Sequence, residues 1–402
     1  MPPGPKIFLS AGEASGEHYG TLLIPALRRL DPQAEFFGLG GRRMEALGFR
    51  PIVRSEDVAV MGITEIVRHI PHIYREYQRL KASILAEKPD AAVLIDFPDV
   101  NLSLARTLKK RGVPVIYFVS PQLWAWKKYR IKKVQKYVDR MLVIFPFEER
   151  FYQDHGVEAE FVGHPLAELP RPVISREAFA RQAGLDASKL WVGLLPGSRS
   201  KELRLNLPEM VRAAAMLHRE SLENSRQNCE FLLPLAHTLT SPQRDHIRAV
   251  LAGLLAAESA PPRITLVDDA RAVLQHAQAS VVASGTATVE AGLIGNPFIV
   301  VYRLSPLSYA VAKRVVDVPH VAMVNLIAGK RIVPELIQGD FTAANVVSLL
   351  RPLLYDEEAR VRMQADLSQT AEMLQGEESA IDRVARITSR MLHRNERLSP
   401  VS

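Results

Sequence analysis

Short apolar runs alternate with amphipathic stretches along most of this 402-residue chain. The first runs fall at Lys6 to Leu9, Glu35 to Gly38, Ala91 to Ile95, Val115 to Val119 and Met141 to Ile144. Each has strand length and the near-continuous apolar character of a strand covered on both faces. Stretches of helical period separate them, among them Val100 to Arg111 and Phe147 to Asp154. A proline-rich break from Pro165 to Pro172 follows, and then the alternation resumes. Strands are predicted at Trp191 to Leu195, Glu230 to Leu233, Ile264 to Val267, Ser280 to Ala283 and Phe298 to Val301, with helices at Leu207 to Glu220 and Arg244 to Leu255. Such repetition predicts an α/β fold of two doubly wound, largely parallel sheets whose strand ends face a cleft. The expected divisions are a first domain over 1–170, a second over 171–356, and a charged helical tail over 357–402. Whether that tail packs back on the first domain is left open.

One segment departs from this rhythm. Between Met61 and Glu87, the residues Ile63, Ile66, Val67, Ile70, Ile73, Tyr77, Leu80 and Ile84 recur at helical spacing, with a kink expected at Pro71. A core-facing helix is the commoner source of such a stripe; an apolar face offered to lipid is the alternative.

Composition narrows the class. Hydrophobic residues make up 47% and charged residues 24%, as in a globular protein. No apolar run approaches the ~20 residues that cross a bilayer, and Pro2, Pro3 and Pro5 lead directly into a strand without a secretory apolar region. The only cysteine, Cys229, excludes an internal disulfide and thiolate zinc sites. A cytoplasmic location is the simplest expectation. The net charge of +7 favours an anionic partner, and it is uneven: seven Lys or Arg and a single acid, Asp139, lie between Lys127 and Arg140. Nucleic acid, a phosphorylated substrate and an anionic membrane all fit such a run, as does a solvated helix face. Trp124 and Trp126 immediately before it are harder to leave uncovered.

Candidate chemistry gathers in small-residue turns after strands. Pro196-Gly197-Ser198-Arg199 follows the run ending at Leu195 and leads toward the helix from about Leu207. Strand ends of open α/β sheets bind ligands, free N–H groups at a helix start attract anions, and Arg199 supplies a planar cation suited to a diphosphate. Ser284-Gly285-Thr286-Ala287-Thr288 repeats the arrangement without a bulky side chain, so a phosphate can approach closely. Thr286 and Thr288 are placed to cap the next helix or donate to phosphate oxygens. Glu290, read as lying in the first turn of that helix, can accept from two ribose hydroxyls or merely complement the helix dipole.

In the first half, Gly12, Ala14 and Gly16 fail the GxGxxG dinucleotide pattern, and Glu13 would repel a pyrophosphate. Glu13 suits sugar hydroxyls or proton transfer better. Asp96-Phe97-Pro98-Asp99 follows the run at Ala91 to Ile95, which places both carboxylates and Asn101 near the cleft mouth. A carboxylate there serves as a general base or, equally, as a helix cap.

Taken in order, these segments resemble the lipid-A-disaccharide synthase family. The resemblance rests on Ala11-Gly12-Glu13-Ala14-Ser15-Gly16, Val60-Met61-Gly62, Asp96-Phe97-Pro98-Asp99 and Val119-Ser120-Pro121-Gln122-Leu123-Trp124-Ala125-Trp126. It continues through Phe161-Val162-Gly163-His164-Pro165, Leu195-Pro196-Gly197-Ser198-Arg199, Ala283-Ser284-Gly285-Thr286-Ala287 and Asn325-Leu326-Ile327-Ala328-Gly329. Each is weak alone; their order over residues 6 to about 340 is specific. Ala14, where some members carry Thr, and His164-Pro165 depart mildly from the pattern.

The resemblance implies a GT-B glycosyltransferase that joins UDP-2,3-diacylglucosamine to 2,3-diacylglucosamine 1-phosphate with inversion, giving the β-1,6 disaccharide 1-phosphate and UDP. It implies action at the inner face of the cytoplasmic membrane, with no metal or other cofactor and no nucleic acid; a homodimer is left open. Carried onto this chain, it gives Asp99 as base with Glu13 as its rival, and Arg199 as diphosphate partner. Gly197, Ser198, Ser284, Gly285, Thr286, Glu290 and Asn325 become substrate contacts. Ile63, Ile66, Val67, Ile70, Trp124 and Trp126 become an acyl or membrane surface. Two alternatives stand beside this: an isomerase like UDP-N-acetylglucosamine 2-epimerase, whose His-rich motif near Gly285 is not found here, and a non-catalytic nucleotide-sugar-binding protein.

Overall fold

The computed structural model describes residues 4–59, 63–223, 228–236, 239–316 and 318–396, without the side chains of 58, 59, 63–70, 200, 307, 311 and 394–396. Two compact units divide the chain, Met1–Glu168 with Leu374–Ser402, and Leu169–Met373.

Unit 1 holds a sheet of strands β1 (Lys6–Ala11), β2 (Glu35–Gly40), β3 (Phe49–Arg54), β4 (Ala91–Ile95), β5 (Val115–Phe118), β6 (Arg140–Val143) and β7 (Ala159–Phe161). They run parallel in the spatial order β3-β2-β1-β4-β5-β6-β7. Unit 2 repeats the scheme with β8 (Leu190–Leu195), β9 (Cys229–Pro234), β10 (Ile264–Val267), β11 (Ala279–Ala283), β12 (Phe298–Tyr302) and β13 (Glu335–Ile337). Their order is β10-β9-β8-β11-β12-β13, again parallel.

Both sheets are wound outward from the middle, so each has one point where the strand order reverses. That point lies between β1 and β4 in unit 1 and between β8 and β11 in unit 2. Crossover helices cover both faces of each sheet, which explains the unbroken apolar strands. Along β8, Val192 and Leu194 enter one layer of core, while Trp191 and Leu195 enter the other.

Three edge strands, β3, β7 and β13, are absent from the sequence reading. The second domain's first long helix spans Ser200–Glu223 and so begins about two turns before Leu207. The tail contains two helices with different attachments. Glu357–Met373 packs on the helices Thr286–Ile294, Met323–Ala328 and Ala343–Tyr355 of unit 2. Ala380–Glu396 returns to unit 1 against the helix Ala14–Leu30, where His393 Nε2 meets Asp31 Oδ1 at 3.0 Å. The helix Ile63–Glu87 forms as expected, with Pro71 inside it. The side chains of Ile63, Ile66, Val67 and Ile70, and the Val60-Met61-Gly62 segment, lie outside the described residues.

Candidate active site

At the reversal point of unit 1, the turn after β1 and the turn after β4 stand side by side, because β1 and β4 pair directly. Gly12 lies under the ring of Phe97: a Cβ there would sit 2.3 Å from that ring, so only glycine allows the approach. Asp96 and Phe97 both adopt left-handed backbone, φ +48° and +47°. Two such non-glycine residues in succession cost on the order of 1–2 kcal/mol each, and the surroundings hold them there. Asn101 Nδ2 donates to the Asp96 carbonyl at 2.7 Å, and Tyr117 Oη donates to the same oxygen at 2.6 Å. Ser10 Oγ completes the group by donating to Asn101 Oδ1 at 2.6 Å. Asn101 is fully buried beneath the turn, so it is a brace and not the cleft-mouth residue expected from sequence.

This strained turn delivers Asp99 to the first turn of the helix Pro98–Lys109, with its side chain 68% exposed. Arg130 donates to Asp99 Oδ1, and Lys127 Nζ stands 3.8 Å from the same oxygen. Glu13 is half-buried at the start of the helix Ala14–Leu30 and makes no side-chain cap bond to it.

Behind the turn, a fully buried carboxyl organises the segment that carries both tryptophans. Glu148 accepts from Ser120 Oγ at 2.7 Å, Trp124 Nε1 at 3.0 Å and the Phe145 N–H at 3.3 Å. Burial pushes its pKa up to about 7 despite these donors. Trp124 also packs edge-on against Phe147, at 5.0 Å between centroids. The two tryptophans therefore differ: Trp124 is tethered inward, whereas Trp126 is exposed under the Lys127 ammonium, 4.1 Å from its ring. Glu148 escaped the sequence reading. Pro146 followed by Glu148 is a helix-start signal that would have placed it.

At the reversal point of unit 2, the turns after β8 and β11 are neighbours in the same way. Gly197 has φ +109° and Gly285 has φ +148°, conformations that L side chains rarely adopt. Asn206 Nδ2 holds the Pro196 carbonyl at 2.9 Å. Glu202 folds back to accept from the N–H groups of Ser198 and Arg199 at 3.1 and 3.2 Å, and lies 3.5 Å from the Arg199 guanidinium. Arg199 is 74% exposed. The start of the helix Ser200–Glu223 thus already holds a carboxylate where free N–H groups were anticipated.

After β11, Thr286 is exposed as the first residue of the helix Thr286–Ile294, with Gly285 before it offering no side-chain cap. Ser284 Oγ donates to the Val321 carbonyl at 3.2 Å. Thr288 is buried and its hydroxyl donates to the Gly285 carbonyl at 2.7 Å, so it is not available to a phosphate. Glu290 lies one turn deeper than expected, the fifth residue of its helix. Burial raises its pKa, with Arg271 opposing the shift and Asp269 adding to it.

Asn325 is the clearest correction. It is fully buried, and both ends of its amide are engaged. Nδ2 donates to the Val333 carbonyl at 2.9 Å and to Glu335 Oε1 at 2.8 Å, while Oδ1 accepts from the Ile332 and Val333 N–H groups at 2.8 and 3.0 Å. Glu335 in turn accepts from the N–H groups of Val321, at 3.1 Å, and Ala322, at 2.9 Å. Asn325 thus supports the loop to which Ser284 is tied; it does not face a substrate.

Among the described residues, no helix is long and apolar enough to cross a membrane. The candidate turns after β1, β4, β8 and β11 lie at the carboxyl ends of strands beside a reversal point, the position where open α/β sheets bind ligands, while the Trp124 and Trp126 segment follows β5.

Known proteins show which family and fold the chain belongs to. A lipid-A-disaccharide synthase of Acidobacterium capsulatum is 64% identical over 407 residues, covering 100% of both chains. Among solved structures, a UDP-N-acetylglucosamine 2-epimerase superposes with TM-score 0.60 at 12% identity, over 98% of each chain. A ugt transferase from Siraitia grosvenorii in complex with UDP gives TM-score 0.57 at 14% identity, over 96% of this chain and 99% of that one. Isomerase and transferase thus share the fold, and at such identities the likeness is one of fold alone. The family model described as lipid-A-disaccharide synthetase, in contrast, matches residues 7–387. On that match and the full-length identity, the chain belongs to the lipid-A-disaccharide synthetase family, enzymes that here use two Rossmann-like units of the GT-B fold.

Proposed function

We propose that this enzyme transfers diacylglucosamine from its UDP donor to the 6-hydroxyl of 2,3-diacylglucosamine 1-phosphate, inverting the donor anomeric centre. The observation that carries the residue assignment is the pairing of candidate loops at both reversal points: carboxylates after β1 and β4, cation and helix starts after β8 and β11.

In this reading Asp99 accepts the proton of the acceptor hydroxyl. The hydroxyl oxygen bonds to the donor C1 from the face opposite the diphosphate, and the C1–O bond breaks with its electron pair leaving on UDP. Charge then grows on the β-phosphate. Arg199, Gly197, Ser198 and the helix start at Gly285 and Thr286 stabilise it, which is the dominant form of catalysis in a single displacement. Seating the diphosphate there requires Glu202 to give up the N–H groups of Ser198 and Arg199. Glu290, kept basic by burial, accepts from the ribose hydroxyls, and Ser284 lines the same turn. Glu13 contacts acceptor hydroxyls beside Asp99.

The same reading places the enzyme peripherally on an anionic membrane. Exposed Trp126, with Lys128, Lys132, Lys133 and Lys136 exposed on the following turns, supports this. The helix from Ile63 would supply the acyl-facing side. Such a surface has no place in an isomerase of free UDP-sugars.

Incubating the purified enzyme with both lipid substrates tests the reading. Equal amounts of UDP and β-1,6 disaccharide 1-phosphate are expected. Donor epimerised in the absence of acceptor would favour the isomerase, and neither product would favour a binding protein.

A further inference from the structure

We propose that Glu202 is an intramolecular competitor of the donor's diphosphate: it fills the diphosphate seat between turnovers, yields to the incoming nucleotide, and returns to displace UDP. This rests on the reading that the diphosphate sits at the turn after β8. In that turn the carboxylate makes the contacts a phosphate would make. Glu202 Oε2 accepts from the N–H groups of Ser198 and Arg199 at 3.1 and 3.2 Å, and Oε1 lies 3.5 Å from the Arg199 guanidinium. Backbone donors at a helix start together with a guanidinium are what a phosphate group binds.

The turn is shaped around this anion. A Cβ on Gly197 would stand 2.3 Å from Glu202 Oε2 and 2.7 Å from Glu202 Cβ, so the carboxylate closes over the turn only because residue 197 is glycine. A glutamate at the third position of a helix also caps it in the ordinary way, and Glu202 is the third residue of the helix Ser200–Glu223. Two features set it apart from a brace. Another side chain already braces the turn: Asn206, one turn further along the same helix and 2% exposed, donates to the Pro196 carbonyl at 2.9 Å. The contacts of Glu202 are also long. Charge-assisted N–H to carboxylate bonds run about 2.7–2.9 Å, whereas all three here are 3.1 Å or more, on a side chain that is 33% exposed. An anion held in this way exchanges readily.

Two anions cannot share these donors. A nucleotide that brings a diphosphate replaces the carboxylate, while a nucleoside without phosphate leaves it in place. After transfer, UDP meets the same competitor, and re-entry of Glu202 restores to the N–H groups the acceptor that the departing phosphate takes away. Glu202 therefore lowers affinity for donor and product alike and speeds the release of UDP.

Titration of UDP by calorimetry and of uridine by ligand-observed NMR, into wild type and Glu202→Gln, tests this. Gln keeps the length and capping ability of Glu and removes the charge. UDP should bind the variant about ten- to a hundredfold more tightly, the size of one hydrogen bond to a charged group. It should also dissociate more slowly in a chase with excess unlabelled UDP. Uridine displaces no anion and should bind both proteins alike. A brace would behave in the opposite way, since its loss disturbs the turn and weakens UDP binding. Unchanged or weaker UDP binding in Glu202→Gln therefore overturns the proposal, as does an equal gain for uridine. If Glu202→Gln fails to fold, Glu202→Asp, one methylene shorter and poorly placed to reach both N–H groups, makes the same comparison. Arg199→Ala separates the competitor from the reading beneath it. Weaker UDP binding in Arg199→Ala without a gain in Glu202→Gln overturns the competitor alone. UDP binding indifferent to both substitutions overturns the placement of the diphosphate at this turn.

Discussion

Glu148 and His164 are buried in unit 1 with opposite consequences for pH. Glu148 has its pKa raised from 4.5 to about 7 by burial, so between those values the folded state binds more protons than the unfolded one. Its contribution to stability is complete below pH 4.5 and is lost as pH rises through about 7. His164 has its pKa lowered by burial from 6.5 to about 3, and its Nδ1 accepts from the Leu166 N–H at 3.1 Å, a bond that protonation would break. That contribution is complete above pH 6.5 and is lost as pH falls toward about 3. Each amounts to roughly 3–5 kcal/mol at most, and in the wild type they offset one another near pH 5–6. Single variants separate them. Glu148→Gln should become more stable on going from pH 5 to 7, and His164→Asn should become less stable over the same range. Denaturant unfolding at the two pH values checks this, and parallel slopes for both variants would refute it. Asn325→Ala belongs at the same scale. It leaves the Ile332 and Val333 N–H groups and Glu335 short of buried partners, at a cost of about 1–3 kcal/mol per group, so it should depress the thermal midpoint by several degrees or more. An unchanged midpoint would return Asn325 to the list of substrate contacts.

Turns are the elements on which the site depends, and those of unit 1 are coupled through a ring. Gly12→Ala places a methyl group where the Phe97 ring lies and should destabilise the protein by about 1–3 kcal/mol, as overpacking does. Adding Phe97→Ala removes the obstacle, so the double variant should recover part of that loss. A double-mutant cycle on unfolding free energy reads the coupling directly, and strict additivity would show that the two turns do not constrain each other. How the turns were found in the sequence, and what was missed, follows from the same physics. Central strands such as Ala91–Ile95 and Phe298–Tyr302 are covered on both faces and read as unbroken apolar runs. Edge strands need no such run. β3 alternates exposed Arg50 and Arg54 with buried Phe49 and Val53 and carries Pro51, while β7 and β13 have three residues each. The small-residue turns announced themselves because glycine at positive φ is a local signal. Their braces Tyr117, Glu148 and Glu335 did not: they come from more distant positions, and nothing in their neighbours tells a buried donor or acceptor from a surface one, while Asn101 stood in the turn's own segment without any sign that it is buried. For the same reason Asn325 looked like a ligand residue until its four partners were seen.

At the scale of the whole molecule, the proposed function divides charge and chemistry between the two units. The basic run from Lys127 to Arg140 belongs to unit 1, and its exposed lysines should draw the enzyme to anionic vesicles with an affinity that falls as salt rises. Ile66→Glu with Ile70→Glu should weaken that binding further. Co-sedimentation insensitive to both would make the helix from Ile63 an ordinary core helix. In the proposed function, donor recognition resides in unit 2 and proton acceptance in unit 1. Calorimetric titration of UDP into wild type, Arg199→Ala and Asp99→Asn, with transfer rates on the same preparations, tests it most directly. Asp99→Asn should bind UDP as wild type does and lose about 10²–10⁴-fold in transfer. Arg199→Ala should bind UDP at least tenfold more weakly and lose about 10²–10³-fold in rate. Near-normal turnover in Arg199→Ala, or weakened UDP binding in Asp99→Asn, would contradict the account.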